Sequence, residues 1–131
     1  DLAQLHGNED ETYIANLKKL TAKPLIKAVK VSTEEEVKKA FDTVADEVLL
    51  DHGKGTGKTF DWNLLKNIQK TDKLLFLAGG LTPENAAQAV KTVAPDVVDV
   101  SSGVEKDVSP CAAFAGKDAE KITKFVESVR L

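Results

Sequence analysis

Five short apolar runs punctuate the chain: Leu2-Ala3-Gln4-Leu5, Leu25-Ile26-Lys27-Ala28-Val29, Glu47-Val48-Leu49-Leu50, Leu74-Leu75-Phe76-Leu77 and Val97-Val98-Asp99-Val100. Their starts lie 22 to 27 residues apart. The runs are near-continuous rather than alternating, as expected of strands covered on both faces in a parallel sheet. Between them the period changes to that of a helix. Residues 9–20 place Tyr13, Ile14, Leu17 and Leu20 on one stripe, and Thr33-Glu34-Glu35-Glu36 reads as a capping box opening a helix from Ser32 to Phe41. Pro83-Glu84-Asn85 starts a third helix behind the cap Thr82, and a last helix is expected over about Asp118 to Val129.

Strand, helix and strand repeated at this period predict consecutive βα units, which build either a doubly wound sheet or a (β/α)₈ TIM barrel. No linker, low-complexity tract or second domain interrupts the pattern, so residues 1–131 are expected to form a single domain. A whole barrel needs about 200 residues or more. Five parallel strands alone leave two open edges and a half-exposed inner face. The expectation is therefore an α/β chain that supplies about five βα units of a barrel, with the first three units absent. The chain holds no methionine and enters its first apolar run at Asp1-Leu2, which on this reading means that something upstream has been removed.

Composition narrows the partners. A net charge of −3 without a basic patch gives no reason to expect nucleic acid or an anionic membrane surface, and points instead to small molecules. The single cysteine, Cys111, cannot close an internal disulfide, so a reducing cytoplasm is the default location. It has no neighbouring histidine and is read as inert. No signal peptide or membrane-length apolar run is present, and no His/Cys/Asp grouping has metal-ligand spacing.

Barrel enzymes carry their chemistry at the C-terminal ends of the strands. Ala78-Gly79-Gly80 and Ser101-Ser102-Gly103 close the last two apolar runs, and backbone N–H groups unobstructed by a Cβ make anion sites. Gly79, Gly80, Ser101, Ser102 and Gly103 are therefore the candidate phosphate cradle; the alternative is a tight turn and a helix cap. Asp51 ends the third run at the mouth of an apolar barrel, where desolvation lets a carboxyl hold a proton near neutrality, so it is the candidate acid/base group; the alternative is that it bonds the lid's backbone. Asp99 could orient a ribose hydroxyl or brace Ser101. His6 could contact substrate or serve as a structural hydrogen-bond donor. Lys27, in the middle of a run, must face the barrel interior or find a carboxylate partner. Gly53-Lys54-Gly55-Thr56-Gly57-Lys58-Thr59 lacks the spacing of a nucleotide P-loop and is expected to be a glycine-rich lid over the barrel mouth; the alternative is a plain flexible loop.

These motifs taken in order resemble phosphoribosylanthranilate isomerase of tryptophan biosynthesis. The segments that carry the likeness are Gln4-Leu5-His6-Gly7, Ile26-Lys27-Ala28, Leu49-Leu50-Asp51, residues 55–62 (Gly-Thr-Gly-Lys-Thr-Phe-Asp-Trp), residues 77–85 (Leu-Ala-Gly-Gly-Leu-Thr-Pro-Glu-Asn) and residues 98–105 (Val-Asp-Val-Ser-Ser-Gly-Val-Glu). The resemblance implies that the strands are the fourth to the eighth of a (β/α)₈ barrel. It also implies an Amadori rearrangement of N-(5′-phosphoribosyl)anthranilate that needs no cofactor or metal. By resemblance Asp51 is the general acid. The family's general base, a cysteine at the end of the first strand, and its arginine for the anthranilate carboxylate have no counterpart here, so the stretch as written is expected to be inactive alone. Lys54 stands in the lid where the family usually has glycine, and residues 106–116 exceed the usual connection to Lys117-Asp118. Two alternatives stay open. One is another sugar-phosphate barrel such as indole-glycerol-phosphate synthase or a ribulose-phosphate epimerase. The other is a non-catalytic half-barrel that binds phosphate or pairs with itself as a homodimer through its open edges.

Overall fold

The computed structural model describes residues 1–51, 62–66, 68, 71–107 and 116–130. Strands β1 (Ala3–Leu5), β2 (Leu25–Lys30), β3 (Glu47–Asp51), β4 (Leu75–Ala78) and β5 (Val97–Val98) form one sheet in the order β1-β2-β3-β4-β5, and every pair is parallel. Helices α1 (Glu11–Leu20), α2 (Glu34–Ala40), α3 (Ala86–Val93) and α4 (Ala119–Val129) follow β1, β2, β4 and β5; a short 3₁₀ turn, Trp62–Leu65, lies between β3 and β4. The fold is thus α/β with a five-stranded parallel sheet.

Alternation along the strands divides the side chains between two faces. Val48, Leu50, Leu75 and Leu77 pack with Val37 and Ala40 of α2, Ala86, Ala89 and Val93 of α3, and Phe125 of α4, which makes the helix-covered core. Ile26, Leu49 and Ala78, with Ala28 and Phe76 against them, form a smaller cluster on the opposite, inner face. In register, Leu49 lies between Ala28 and Phe76, while Asp51 lies between Lys30 and Ala78. The inner face therefore changes from apolar to ionisable at the C-terminal ends of the strands.

The helix boundaries follow local chemistry. Asp10 caps α1, its carboxylate accepting the Tyr13 N–H at 2.7 Å, so the helix starts at Glu11, two residues later than the apolar pattern suggests. The expected stripe is only half used. Ile14 is fully buried with Leu25 and Ala45 and Leu17 packs beside it, whereas Tyr13 and Leu20 lie off that contact and are 55% and 83% exposed. The capping box of α2 forms as expected, Thr33 Oγ1 accepting from Glu36 N–H and Glu36 Oε2 from Thr33 N–H. Hydrogen bonds from the Ser32 backbone and hydroxyl hold the Glu36 carboxyl below the usual carboxylate range. Helix α3 begins at Ala86, three residues beyond Pro83, because residues 83–85 make a separate turn onto the Thr82 carbonyl.

At the N-terminal rim the same device occurs twice. Asp46, just before β3, accepts the Leu25 N–H on its carboxylate at 2.9 Å and donates its own N–H to the Leu25 carbonyl at 3.0 Å. Asp96, before β5, does the same with Leu75, at 2.8 and 3.0 Å. These clamps fix the register of β2 on β3 and of β4 on β5 from the first residue. No helix among the described residues is long and apolar enough to cross a membrane.

Candidate functional site

The C-terminal ends of β3, β4 and β5 surround a cavity of about 230 Å³ lined by Asp51, residues 78–81 (Ala-Gly-Gly-Leu) and residues 99–103 (Asp-Val-Ser-Ser-Gly). Seven of the eight residues singled out from the sequence thus meet in one place: Asp51, Gly79, Gly80, Asp99, Ser101, Ser102 and Gly103. The eighth, His6, is exposed at the end of β1, on the same rim but separated from β3 by β2 and outside the cavity lining. A larger hollow of about 730 Å³ lies on the helix side between α2 and Leu64, Ile68 and Thr71; its lining includes no strand-end residue.

Backbone conformation shapes the cradle. Gly79 and Gly80 have φ of +86° and +67°, the left-handed region where a side chain would be strained, and this turns the chain sharply out of β4. Gly103 has a different reason to be glycine. A Cβ there would stand 1.8 Å from the Leu81 carbonyl oxygen and 2.8 Å from its carbon, so the two loops touch through backbone alone. Ser101 precedes the 3₁₀ turn Ser102–Val104 but makes no side-chain cap bond, so its hydroxyl does not serve as the simple helix cap weighed above. The Asp99 N–H donates to the Leu77 carbonyl at 2.8 Å, which extends the β4–β5 ladder past Val98 and presents the exposed Asp99 carboxylate at the cavity.

Each rim loop is braced from behind. The Asn85 side chain donates to the Gly80 carbonyl at 2.9 Å and accepts the Thr82 N–H at 2.8 Å, closing the β4 loop on itself. Lys117 reaches back to Ser101 and Glu105. Lys27 lies on the side of Leu25 and Val29, the helix-covered face, and pairs with Glu9 at 2.7 Å and with the Gly7 carbonyl at 2.8 Å. It is thus a structural ion pair holding the His6-Gly7 turn. The Lys27 ammonium, followed by the backbone bonds, lowers the Glu9 carboxyl from its ordinary value. The Asp51 carbonyl accepts the Val31 N–H at 3.1 Å, tying the end of β3 to the end of β2. Among the described residues no group of three or more His, Cys, Asp or Glu could hold a metal ion. The lid, Gly53 to Thr59, and Cys111 lie outside the described residues.

Asn85 and Lys117 were not singled out from the sequence as parts of a site. Asn85 had a signal, following a Gly-Gly turn at the start of a helix. Lys117 had none, because it lies 16 residues beyond Ser101 and only its bridge with Glu105 brings the two together.

The family model described as N-(5′phosphoribosyl)anthranilate (PRA) isomerase matches residues 1–128. The chain belongs to this family. It is 44% identical over 136 residues to the N-(5′-phosphoribosyl)anthranilate isomerase of Endomicrobium trichonymphae, with 99% of this chain and 61% of that protein covered. The crystal structure of phosphoribosyl anthranilate isomerase from Thermotoga maritima superposes with a TM-score of 0.77 at 38% identity, covering 97% of this chain and 60% of that one. A second solved isomerase, in complex with reduced 1-(o-carboxyphenylamino)-1-deoxyribulose 5-phosphate, has a TM-score of 0.74 at 36% identity, with coverage of 97% and 58%. The chain spans about three fifths of the length of the curated relatives it matches.

Proposed function

We propose that this chain supplies the phosphate grip and the general acid of an N-(5′-phosphoribosyl)anthranilate isomerase, and that its five strands take the fourth to eighth places of a (β/α)₈ barrel. On this reading residues 1–131 are one part of a single barrel domain. The observation that carries it is that Asp51 lines the same cavity as Gly79, Gly80 and Ser101 to Gly103, so an acid stands one strand away from an anion cradle.

The chemistry assigned to these residues follows from that spacing. Backbone N–H groups of the two glycine loops hold the phosphate, a task in which charge complementarity costs no reorganisation on binding. With the phosphate fixed over β4 and β5, the ribose lies over β3, where Asp51 donates a proton to the ring oxygen as the C1′–O bond opens. The nitrogen lone pair forms the C1′=N bond as C1′–O breaks; loss of the C2′ proton then gives an enolamine, which takes a proton at C1′ to become the 1-deoxyribulose product. The base for that step comes from outside these five units, so turnover is expected only of a barrel that also holds the first strand. Asp99 orients a ribose hydroxyl, and His6 contacts the substrate from the β1 rim.

Calorimetric titration of the full-length protein with the reduced product analogue tests this reading. Binding that competes with inorganic phosphate, persists in Asp51→Asn and is lost in Gly103→Ala is expected. Binding unaffected by phosphate would overturn the assignment of the cradle.

A further inference from the structure

We propose that Lys117 is a positioning residue of the phosphate grip, holding both oxygens of Ser101 so that the Ser101 hydroxyl hydrogen is presented to the cavity. This rests on the reading of the cavity as the phosphate site.

The Lys117 ammonium lies 2.8 Å from the Ser101 carbonyl oxygen, 3.1 Å from Ser101 Oγ and 3.0 Å from Glu105 Oε1. An ammonium has three N–H donors and no acceptor, so this set uses all of them and Ser101 Oγ must be the acceptor. The hydroxyl hydrogen is thereby released for another partner. Ser101 Oγ accepts no helix-cap N–H, its bond with Lys117 is one it accepts, and Ser101 lines the cavity, so an anion there receives the hydroxyl hydrogen. The contact removes the competing orientation in which Ser101 would offer a lone pair to the anion.

The anchor is itself well fixed. Glu105 and Lys117 form an antiparallel bridge, Lys106 N–H donates to the Gly116 carbonyl at 3.1 Å, and Asp118 N–H donates to the Val104 carbonyl at 2.8 Å. Lys121 holds the Glu105 carbonyl at 2.9 Å from the start of α4. These bonds hold Glu105 and Lys117 side by side at the end of the β5 loop. The pair with Glu105 is about 40% exposed on both sides, at 41% and 39%, and contributes little to folding. Its effect belongs to binding.

The test is titration of the full-length protein with inorganic phosphate, together with KM, kcat and thermal midpoint, for wild type, Lys117→Met and Lys117→Arg. Lys117→Met is expected to weaken phosphate binding and raise KM about tenfold, the scale of a hydrogen bond to a charged group. The fall in kcat should be much smaller, the thermal midpoint nearly unchanged, and binding largely restored in Lys117→Arg. Phosphate binding by Lys117→Met equal to wild type would overturn the inference, as would weakening matched by a large fall in the midpoint. If Lys117→Met does not fold, Ser101→Ala carries the test: it should lose phosphate affinity to a similar degree, and unchanged affinity overturns the proposal. A wild-type protein that fails to bind phosphate removes the reading of the cavity itself.

Discussion

At the residue scale, Gly103 shows how much of the site depends on a side chain that is missing. Its Cα faces the Leu81 carbonyl so closely that any Cβ forces the β4 and β5 loops apart. Gly103→Ala is expected to cost about 1–3 kcal/mol of stability, the range for overpacking a tight contact, and to weaken phosphate binding more than any change at Asp51. Chemical denaturation and phosphate titration of the same variant measure the two effects. Gly80 is a contrasting case: its Cβ would meet nothing within 4 Å, but φ of +67° makes a side chain there strained all the same. Gly80→Ala should therefore cost about 1 kcal/mol through backbone strain and leave the spacing of the loops intact. The sequence displayed both residues as turn glycines. Only coordinates separate a conformational need from a close approach, since both leave the same letter in the chain.

At the element scale, the sheet is pinned at its N-terminal rim and works at its C-terminal rim. Asp46 illustrates the division. It is held below the ordinary aspartate value of 3.8, first by the hydrogen bond from Lys18 and then by that from the Leu25 N–H. A carboxyl whose value is depressed on folding contributes stability above its unfolded value, and that contribution is lost as the pH falls through the folded one. Asp46→Asn keeps an oxygen for Leu25 but loses the charge facing Lys18. With both side chains more than a third exposed, at 37% and 36%, the cost should be about 1 kcal/mol or less at neutral pH. Urea midpoints compared between about pH 2 and 6 should converge for variant and wild type at the acid end. Phosphate affinity should not move. Strand positions were legible because buried β-runs and capping boxes are local patterns; all five strands lie within the expected runs apart from one residue added at the C-terminal ends of β2, β3 and β4. The start of α3 was not, because the Thr82 carbonyl accepts from both Asn85 and Ala86 and residues 83–85 form a turn before the regular helix.

At the scale of the whole molecule, the two faces of the sheet differ in kind. The helix face carries a large apolar core and a second cluster under α1, while the inner face is a narrow apolar band that ends in Lys30, Asp51 and Asp99 at the working rim. The position of the cavity at the strand ends was foreseeable from topology, since parallel strands deliver their following loops to one side. The Lys117 brace was not, because Lys117 meets Ser101 only through its bridge with Glu105, and no sequence spacing encodes that pairing. The account's central claim is that this rim joins a phosphate grip to an acid. Its most direct test is the loss of N-(5′-phosphoribosyl)anthranilate fluorescence catalysed by the full-length protein, wild type against Asp51→Asn. The account predicts a wild type that turns over and a variant whose kcat is lower by about 10²–10⁴-fold, the usual yield of a positioned acid, with inorganic phosphate bound as before. A wild type without turnover, or an Asp51→Asn variant that keeps the full rate, would contradict it.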